Sequence, residues 1–315
     1  MLKENPQKIS IVIPCYNEAG NIEEMYRRLN ETLSPIVQNY ELIFVDDYST
    51  DNSRAIMKKL AGKDKRVVLL FFSRNFGHSQ YGLTAGCDYS TGDAVVWIEG
   101  DLQDPPELIA EFILRWRQGY DVVYGLRTKR KGSLFLRACY KIFYVVFSKL
   151  SSIKVPKDAG DFSLLDRKVV NIIRTMPERD RYMRGLRAWT GFQSIGVPYT
   201  RDARFEGKSS NNLVSNIKWA KKAIFSFSYA PIECIFYLAL LAFIAGVLAF
   251  IVYFLTYFFG NPPRGFSTLL LITILFGSVQ LLSLSIIAEY ISRIFEEVKG
   301  RPQYIIEEVV NDPRK

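Results

Sequence analysis

Two long stretches without a single charged residue lie near the C-terminal end of this 315-residue chain. The first covers residues 234–263 and the second covers residues 266–288. A helix needs about 20 mostly apolar residues to cross the hydrocarbon core of a bilayer, and both stretches are longer than that. They predict two membrane-spanning helices, joined by the link 260–265 into a hairpin. The alternative is a pair of buried core helices, although helices of globular proteins usually span only about 8–20 residues.

Positive charges flank the two stretches and predict which side of the membrane each end faces. The flanking cations are Lys218, Lys221 and Lys222 before the first stretch and Arg293, Lys299 and Arg301 after the second. The link carries only Arg264. Because loops rich in lysine and arginine stay in the cytoplasm, we expect the N-terminal region and the C-terminal tail there. The net charge of +9 alone would also suit a nucleic-acid-binding protein, but the sequence carries no motif of that class.

The N-terminal region alternates short apolar runs with helical patterns. The runs predicted as strands cover residues 9–13, 41–45, 67–71, 94–98 and 121–124. The helical patterns cover residues 18–33, 51–60, 78–89 and 105–118. This alternation predicts βαβ units, and hence an α/β fold with a doubly wound, mostly parallel sheet. Such a sheet binds ligands beyond the carboxyl ends of its strands.

The chain divides into four predicted parts. These are an α/β domain over 1–211, an amphipathic interfacial helix over 212–230, two transmembrane helices over 231–294 and a cytoplasmic tail over 295–315. The second part has lysines and Trp219 among apolar positions, which is typical of a helix lying on a bilayer, and an ordinary surface helix is the alternative. The four cysteines show no metal-ligand or redox spacing, which fits a reducing compartment. The apolar run near the N-terminus is too short for a signal peptide.

Polar clusters follow the first two predicted strands. The first cluster is Pro-Cys-Tyr-Asn-Glu over residues 14–18, in which Asn17 or Glu18 could simply cap the next helix. The second contains Asp46 and Asp47, two adjacent acids that repel each other unless they have partners. Their oxygens could accept hydrogen bonds from a uracil-type base or from ribose hydroxyls.

A third polar cluster follows the fourth predicted strand, which is almost wholly apolar and therefore central. In this cluster Asp101 and Gln103 lie two positions apart on an extended segment, so that both can offer side-chain oxygens as ligands. Such oxygens suit a hard divalent cation, Mg²⁺ or Mn²⁺, that keeps waters and bridges phosphates. Pro105 and Pro106 then start a helix, so the alternative is that these acids only cap it.

Taken together, these motifs resemble the family-two glycosyltransferases of the GT-A fold. The matching runs are Ile-Pro-Cys-Tyr-Asn-Glu, Val-Asp-Asp, Ser-Arg-Asn-Phe-Gly and Asp-Leu-Gln-Asp-Pro-Pro-Glu. Two further runs, Asp-Ala-Gly-Asp-Phe and Tyr-Met-Arg-Gly-Leu, resemble the polyprenyl-phosphate glycosyltransferases, the group that includes dolichol-phosphate mannose synthase and bacterial undecaprenyl-phosphate glucosyl and aminoarabinosyl transferases. The resemblance covers essentially the whole chain.

The resemblance implies a role for each motif residue. The nucleotide-sugar pocket would be lined by Pro14, Tyr16, Glu18, Asp46, Asp47 and Glu99. The metal would be held by Asp101 and Gln103, and the catalytic candidates are Asp158 and Asp161. Phosphate contacts, to the lipid phosphate or the diphosphate, would come from Arg127, Arg137, Arg201 and Arg204. Two positions depart from the family pattern, since Glu99 replaces an aspartate and Tyr48 replaces a small residue.

The chemistry of individual residues refines these roles. The guanidinium fork of Arg127 suits a bidentate grip on a phosphate. A lipid phosphate is already largely ionised at neutral pH, because its second pKa is near ~6, so the demand on Asp158 as a base is weak. Asp161 could instead brace a loop. His78 is the only histidine, so no catalytic triad or histidine metal cluster can form, and we interpret it as structural.

The predicted activity is transfer of a sugar, with inversion, from a nucleotide-sugar to polyprenyl phosphate. UDP-glucose is the leading donor and GDP-mannose its main competitor. The alternatives are an enzyme similar to the processive polysaccharide synthases and an inactive membrane scaffold that only binds a nucleotide-sugar. We expect an integral membrane protein with a cytoplasmic catalytic domain, and exposed helices that allow a homo-oligomer.

Overall fold

The computed structural model describes residues 3, 8–128, 156, 159–179, 181–201, 230–260 and 265–315. The chain forms two compact units. The first contains the sheet and its covering helices, together with residues 302–315 near the C-terminus. The second contains two long apolar helices. The predicted interfacial helix over 212–230 lies outside the described residues, apart from its last residue.

Within the described residues, eight strands form one sheet in the order β7-β5-β6-β4-β1-β2-β3-β8. The strands are β1 Lys8–Cys15, β2 Asn39–Asp46, β3 Val67–Phe72, β4 Ala94–Trp97, β5 Val122–Arg127, β6 Ala159–Asp166, β7 Ser194–Tyr199 and β8 Ile306–Val310. Strand β1 pairs in parallel with β2 and β4, as does β2 with β3 and β5 with β7. Strand β6 is antiparallel to β4 and β5, and β8 is antiparallel to β3. The sheet is therefore mixed but mostly parallel, as predicted: β1 to β5 and β7 point the same way, and β6 and β8 run against them.

The first unit contains six helices among its described residues. They are α1 Ala19–Leu33, α2 Ser53–Lys63, α3 Ser79–Tyr89, α4 Leu108–Arg117, α5 Arg167–Thr175 and α6 Met183–Trp189. The five strands and four helices predicted from the sequence are all confirmed, with ends that differ by up to three residues. Strands β6, β7 and β8 and helices α5 and α6 were not predicted.

The core lies between the sheet and its helices. Strands β3 and β4 are buried along their whole length, because helices cover both faces of the sheet. Helix α1 buries Ile22, Met25 and Leu29, at the spacing of a single helical face. Helix α3 packs directly on β1 at Gly86, where a Cβ atom would lie only 2.1 Å from Val12 Cγ1. This close contact fixes the polar loop before α3 next to the end of β1.

The second unit consists of α7 Ala230–Phe259 and α8 Phe266–Lys299, which contact each other. They cover most of the first charge-free stretch and all of the second, and they expose many large apolar side chains. Among the described residues, the segment Leu275–Lys299 is long and apolar enough to cross a membrane, and Ile235–Ala249 is a shorter apolar stretch. A hairpin that spans the membrane twice therefore stays a prediction. Helix α8 ends at Lys299 and is followed by Gly300, whose φ of 60° suits a glycine after a helix.

Candidate active site

The sheet topology brings the sequence motifs to one edge. Strands β1, β2, β4, β5 and β7 point the same way, so their carboxyl ends lie together, and antiparallel β6 places its amino end beside them. We term this side of the sheet the polar edge. Its predicted site residues are Pro14, Tyr16, Glu18, Asp46, Asp47, Glu99, Asp101, Gln103, Arg127, Asp161 and Arg201. The other three predicted site residues, Asp158, Arg137 and Arg204, lie outside the described residues.

Four carboxylates lie close together at the centre of the polar edge. Asp101 and Asp104 are almost fully buried, at 3% and 1% exposure, whereas the side chain of Glu99 keeps 35%. Loss of hydration next to the surrounding protein is the main cause that raises the pKa of Glu99 to about 7. The negative charges of Asp101, Asp161 and Asp104 raise it further. Such crowding of negative charge is relieved by binding a cation. Asp104 was not singled out from the sequence, although it lies in the third polar cluster.

Arg201 lies closest to three of these acids, Glu99, Asp101 and Asp104. Its Nη2 atom is 3.8 Å from a carboxylate oxygen of Glu99 and 3.9 Å from one of Asp101. Its Nε atom is 3.3 Å from Asp104 Oδ1 but makes no hydrogen bond within the described part of the chain, and this nitrogen is buried. Arg201 thus compensates part of the acidic charge and retains a buried donor.

Arg127 reaches the same acids through Tyr199. The Nε–H of Arg127 donates to Tyr199 Oη at 3.2 Å, and the Tyr199 hydroxyl donates to Asp104. Burial, followed by the charge of Asp104, raises the pKa of Tyr199, so the phenol stays protonated and keeps this bridge. Tyr199 was not recognised from the sequence, because it is the last residue of β7, a strand that the apolar pattern did not predict.

Asp161 lies at the amino end of β6 and is held by Arg184. The Nη2 atom of Arg184 is 3.2 Å from Asp161 Oδ2, and Gln80 Nε2 is 3.4 Å from the same oxygen. Burial alone would raise the pKa of Asp161, but Arg184 and Arg187 outweigh it and hold the pKa below its usual value. Asp161 is therefore ionised at neutral pH and is a weak proton acceptor. Arg184 belongs to a motif noted in the sequence, but its partner could not be read there.

The residues present can form part of a metal site. Among the described residues, no group of three or more histidine, cysteine, aspartate or glutamate side chains forms a complete set of metal ligands. Mg²⁺, however, is usually bound through one or two carboxylates together with waters and substrate phosphates. Asp101 fits such an open site because it is buried among carboxylates that repel one another. The side-chain amide of Gln103, two residues along the chain, can supply a further oxygen ligand. The backbone N–H of Gln103 donates to Asp101 Oδ1 at 3.1 Å and so orients that carboxylate.

The ends of β1 and β2 carry the predicted nucleotide residues. Asp46 is fully buried and pairs with Arg54, whose Nε atom lies 2.6 Å from Oδ2. Asp47 accepts hydrogen bonds from the N–H groups of Phe76 at 2.7 Å and Gly77 at 3.1 Å, and so braces the loop before α3. Both acids thus have partners, although burial and the charge of Asp46 still raise the pKa of Asp47. Arg54 was missed, because nothing in its local sequence distinguishes it from a surface arginine.

The remaining predicted pocket residues differ in exposure. Tyr16 and Tyr48 are exposed at 47% and 44%, so their rings can contact a ligand. Pro14 packs against Gly82 of α3, and Glu18 accepts a hydrogen bond from the amide of Asn21. His78 accepts a hydrogen bond from the N–H of Gln80 at 3.4 Å and caps α3, as expected of a structural residue.

Comparison with known proteins agrees with this geometry. Residues 10–173 match the model of the family described as "Glycosyl transferase family 2". Among similar proteins, the "Uncharacterized glycosyltransferase YkcC" of Bacillus subtilis (strain 168) is 44% identical over 95% of this chain and 93% of that protein. The "SfII prophage-derived bactoprenol glucosyl transferase" of Shigella flexneri is 38% identical over 95% and 97%. The "Prophage bactoprenol glucosyl transferase homolog" of Escherichia coli (strain K12) is 37% identical over 96% and 99%.

Similarity to solved structures is much looser. A mannosyltransferase from Pyrobaculum calidifontis, solved in complex with GDP-Man and Mn²⁺, is 20% identical, with a TM-score of 0.42 over 62% of this chain and 55% of that one. Likeness at that level adds nothing to the assignment. The family model covers just over half of the chain, and the sequence relatives match nearly their whole length. This protein belongs to glycosyl transferase family 2.

Proposed function

We propose that this protein transfers a sugar from a nucleotide-sugar to a polyprenyl phosphate. The observation that carries the proposal is the polar edge. There, acids that follow β4 or belong to β6, and arginines from β5, α6 and the segment after β7, lie beside the nucleotide motifs of β1 and β2. Relatives at 37% and 38% identity are named as bactoprenol glucosyl transferases or homologues of one, and each is matched over nearly its whole length. The leading donor is UDP-glucose, and GDP-mannose is the main competitor.

The proposed reaction is a single displacement with inversion. An oxygen of the lipid phosphate attacks C1 of the sugar and forms the new C1–O bond. The bond between C1 and the diphosphate oxygen breaks, and its electron pair leaves with the nucleoside diphosphate. A phosphate monoester is largely a dianion at neutral pH, since its second pKa is near ~6, so no strong base is needed. The low pKa of Asp161 is compatible with this step, because a carboxylate held ionised by Arg184 can orient a group without accepting its proton.

The arginines would bind the phosphate groups of the two substrates, and the acids would bind the cation. Arg127 would hold the acceptor phosphate, and Arg201 would stabilise negative charge on the leaving diphosphate with its buried donor. Asp101 and Gln103 would hold a divalent cation, whose chemistry when bound is to neutralise that same diphosphate. Glu99 would contact the donor or this cation, in the position where the family pattern has an aspartate.

The membrane part of the proposal follows from the second unit. Helices α7 and α8 expose large apolar side chains, which a bilayer would cover. We propose that both helices span the membrane, that the catalytic domain and the tail are cytoplasmic, and that copies of the chain associate. A lipid phosphate acceptor would then lie in the same membrane as the enzyme.

A transfer assay tests the function directly. Purified full-length protein in detergent would be mixed with Mg²⁺, undecaprenyl phosphate and radiolabelled UDP-glucose, with GDP-mannose in a parallel reaction. We expect label to enter the organic phase, and to do so only when the lipid phosphate is present. A water-soluble polymer would instead favour a polysaccharide synthase. Donor binding without any transfer, in folded protein, would support the inactive scaffold.

A further inference from the structure

Arg54 in the first turn of α2 is held by three strands at once. Its Nε atom lies 2.6 Å from Asp46 Oδ2 at the end of β2, and its Nη2 atom donates to the carbonyl oxygen of Phe72 on β3 at 2.8 Å. Its Nη1 atom donates to Glu307 Oε2 on β8 at 3.2 Å. Because each of the three nitrogens has a partner, the plane of the guanidinium is fixed.

The same guanidinium supports an exposed aromatic ring at the polar edge. Its central carbon lies 5.1 Å from the ring centroid of Tyr48 and 5.1 Å from that of Phe71. Tyr48 has a φ of 62°, which a non-glycine residue rarely adopts, and it is 44% exposed. Arg54 thus neutralises the buried carboxylate of Asp46 and also contacts the ring two residues further along the chain.

Glu307 reaches Arg54 because of the direction of β8. This strand is antiparallel to β3, with Ile306 opposite Phe72, so its amino end lies at the polar edge. The strand is attached by other contacts as well. Glu308 pairs with Lys58 at 2.7 Å, and the side-chain amide of Asn311 donates to the carbonyl oxygens of Ala61 and Val67. Docking of β8 therefore does not depend on Glu307.

We propose that Glu307 is a positioning residue for the donor, and that β8 forms part of the donor site. Glu307 orients Arg54, and Arg54 in turn positions the carboxylate of Asp46 and the ring of Tyr48. In this arrangement the two side chains bind the nucleoside diphosphate of the donor. The identity of this ligand rests on the proposed function. Loss of the Glu307 carboxylate leaves Arg54 bound to Asp46 and Phe72, but its Nη1 atom is no longer held and the guanidinium plane can tilt. Donor binding then weakens, while the chemistry at C1 is unchanged.

The test compares two neighbouring substitutions on the same strand. Glu307→Gln removes the negative charge that pairs with Arg54 but keeps the size of the side chain, and the control Glu308→Gln removes the charge that pairs with Lys58, which does not reach Asp46. Calorimetry on the full-length protein would give the Kd for UDP with Mg²⁺ at low ionic strength, and the transfer assay would give the KM for the donor and kcat. For Glu307→Gln we expect Kd and KM to rise roughly two- to five-fold at constant kcat, the scale of one exposed ion pair.

Salt provides a second readout, since an exposed ion pair is screened. The difference between wild type and Glu307→Gln should shrink at about 0.5 M NaCl, where screening is strong. The inference is overturned if Glu307→Gln binds UDP as tightly as wild type, if Glu308→Gln shows the same loss, or if kcat falls while KM is constant. If wild type binds neither UDP nor GDP, the proposed function itself fails, and the inference fails with it.

Discussion

Buried carboxylates occur at both ends of the strands, but their surroundings differ. At the end opposite the polar edge, Glu41 accepts hydrogen bonds from Ser10 at 2.6 Å and from the N–H of Thr91 at 2.8 Å, and it pairs with Lys8 at 2.5 Å. At the polar edge, Glu99 has three other acids as neighbours, and the nearby charge of Arg201 offsets only part of their effect on Glu99. The contacts of Glu41 hold neighbouring strands together, whereas the acids around Glu99 repel one another.

The pKa shifts of Asp121 and Glu99 show the same difference between the two ends. Burial would raise the pKa of Asp121 at the opposite end, but Lys168 and Lys3 outweigh it and lower the pKa. At the polar edge, burial and like charges raise the pKa of Glu99 to about 7. Unfavourable crowding of this kind persists in a fold when a ligand or cation relieves it. The groups at the opposite end therefore stabilise the fold, whereas the crowded acids of the polar edge support its proposed role in binding and chemistry.

The largest expected effect is on activity at the polar edge. Asp101→Asn should reduce transfer at least about a hundredfold, because it removes the charge that would hold the cation on the leaving diphosphate. The thermal midpoint should stay the same or rise, since a repelling charge is lost. The transfer assay and thermal unfolding of the same preparation measure both quantities. Full activity in this variant would break the comparison and remove Asp101 from the proposed metal site.

The matching substitution at the opposite end should give the reverse pattern. Glu41→Ala leaves the buried hydroxyl of Ser10 and the N–H of Thr91 without their acceptor and should cost about 2–4 kcal/mol of unfolding free energy. Donor KM and kcat of the protein that remains folded should equal those of wild type. Thermal unfolding in detergent and the transfer assay at low temperature would check this. A change in donor KM would show that the two ends are coupled.

Tyr199→Phe at the polar edge should have a smaller effect on both activity and stability. It removes the hydroxyl that joins Arg127 to Asp104, so Arg127 loses its orientation toward the acceptor. We expect the KM for the lipid phosphate to rise roughly five- to tenfold, and stability to fall by about 1 kcal/mol. Kinetics at varied undecaprenyl phosphate, with donor saturating, would measure the first. A donor KM that rises instead would assign Tyr199 to the nucleotide side.

The smallest effect is a pH dependence at the opposite end. The folded-state pKa of Asp121 is lowered, so its stabilising pairs with Lys3 and Lys168 are fully present above the unfolded pKa, near ~3.9, and are lost as pH falls through the folded value. Asp121→Asn should therefore be less stable than wild type at pH 7, by about 1 kcal/mol or less. The two proteins should converge in acid below the folded pKa. A constant difference across this range would mean that packing, and not charge, is responsible.

The first half of the fold could be predicted because its signals are local. Each of the first five strands is an apolar run bounded by polar residues, and the intervening helices show one buried face, as α1 does with Ile22 and Met25. Strand β8 has a weaker signal, the pairs Ile305-Ile306 and Val309-Val310 around two glutamates. Its partner β3 lies more than 230 residues earlier, with Phe72 opposite Ile306, and periodicity does not reveal such a pairing.

The sequence alone determined the two apolar stretches, the alternation of strand and helix, and the identity of the acids after β1, β2 and β4. These depend on residue type and on spacing of a few positions. The tertiary structure decided which acid has which partner: Asp46 with Arg54, Asp161 with Arg184, and Glu99 among other acids. The physical reason is that charge interactions and burial act over a few ångströms, between residues that the sheet topology brings together from distant parts of the chain.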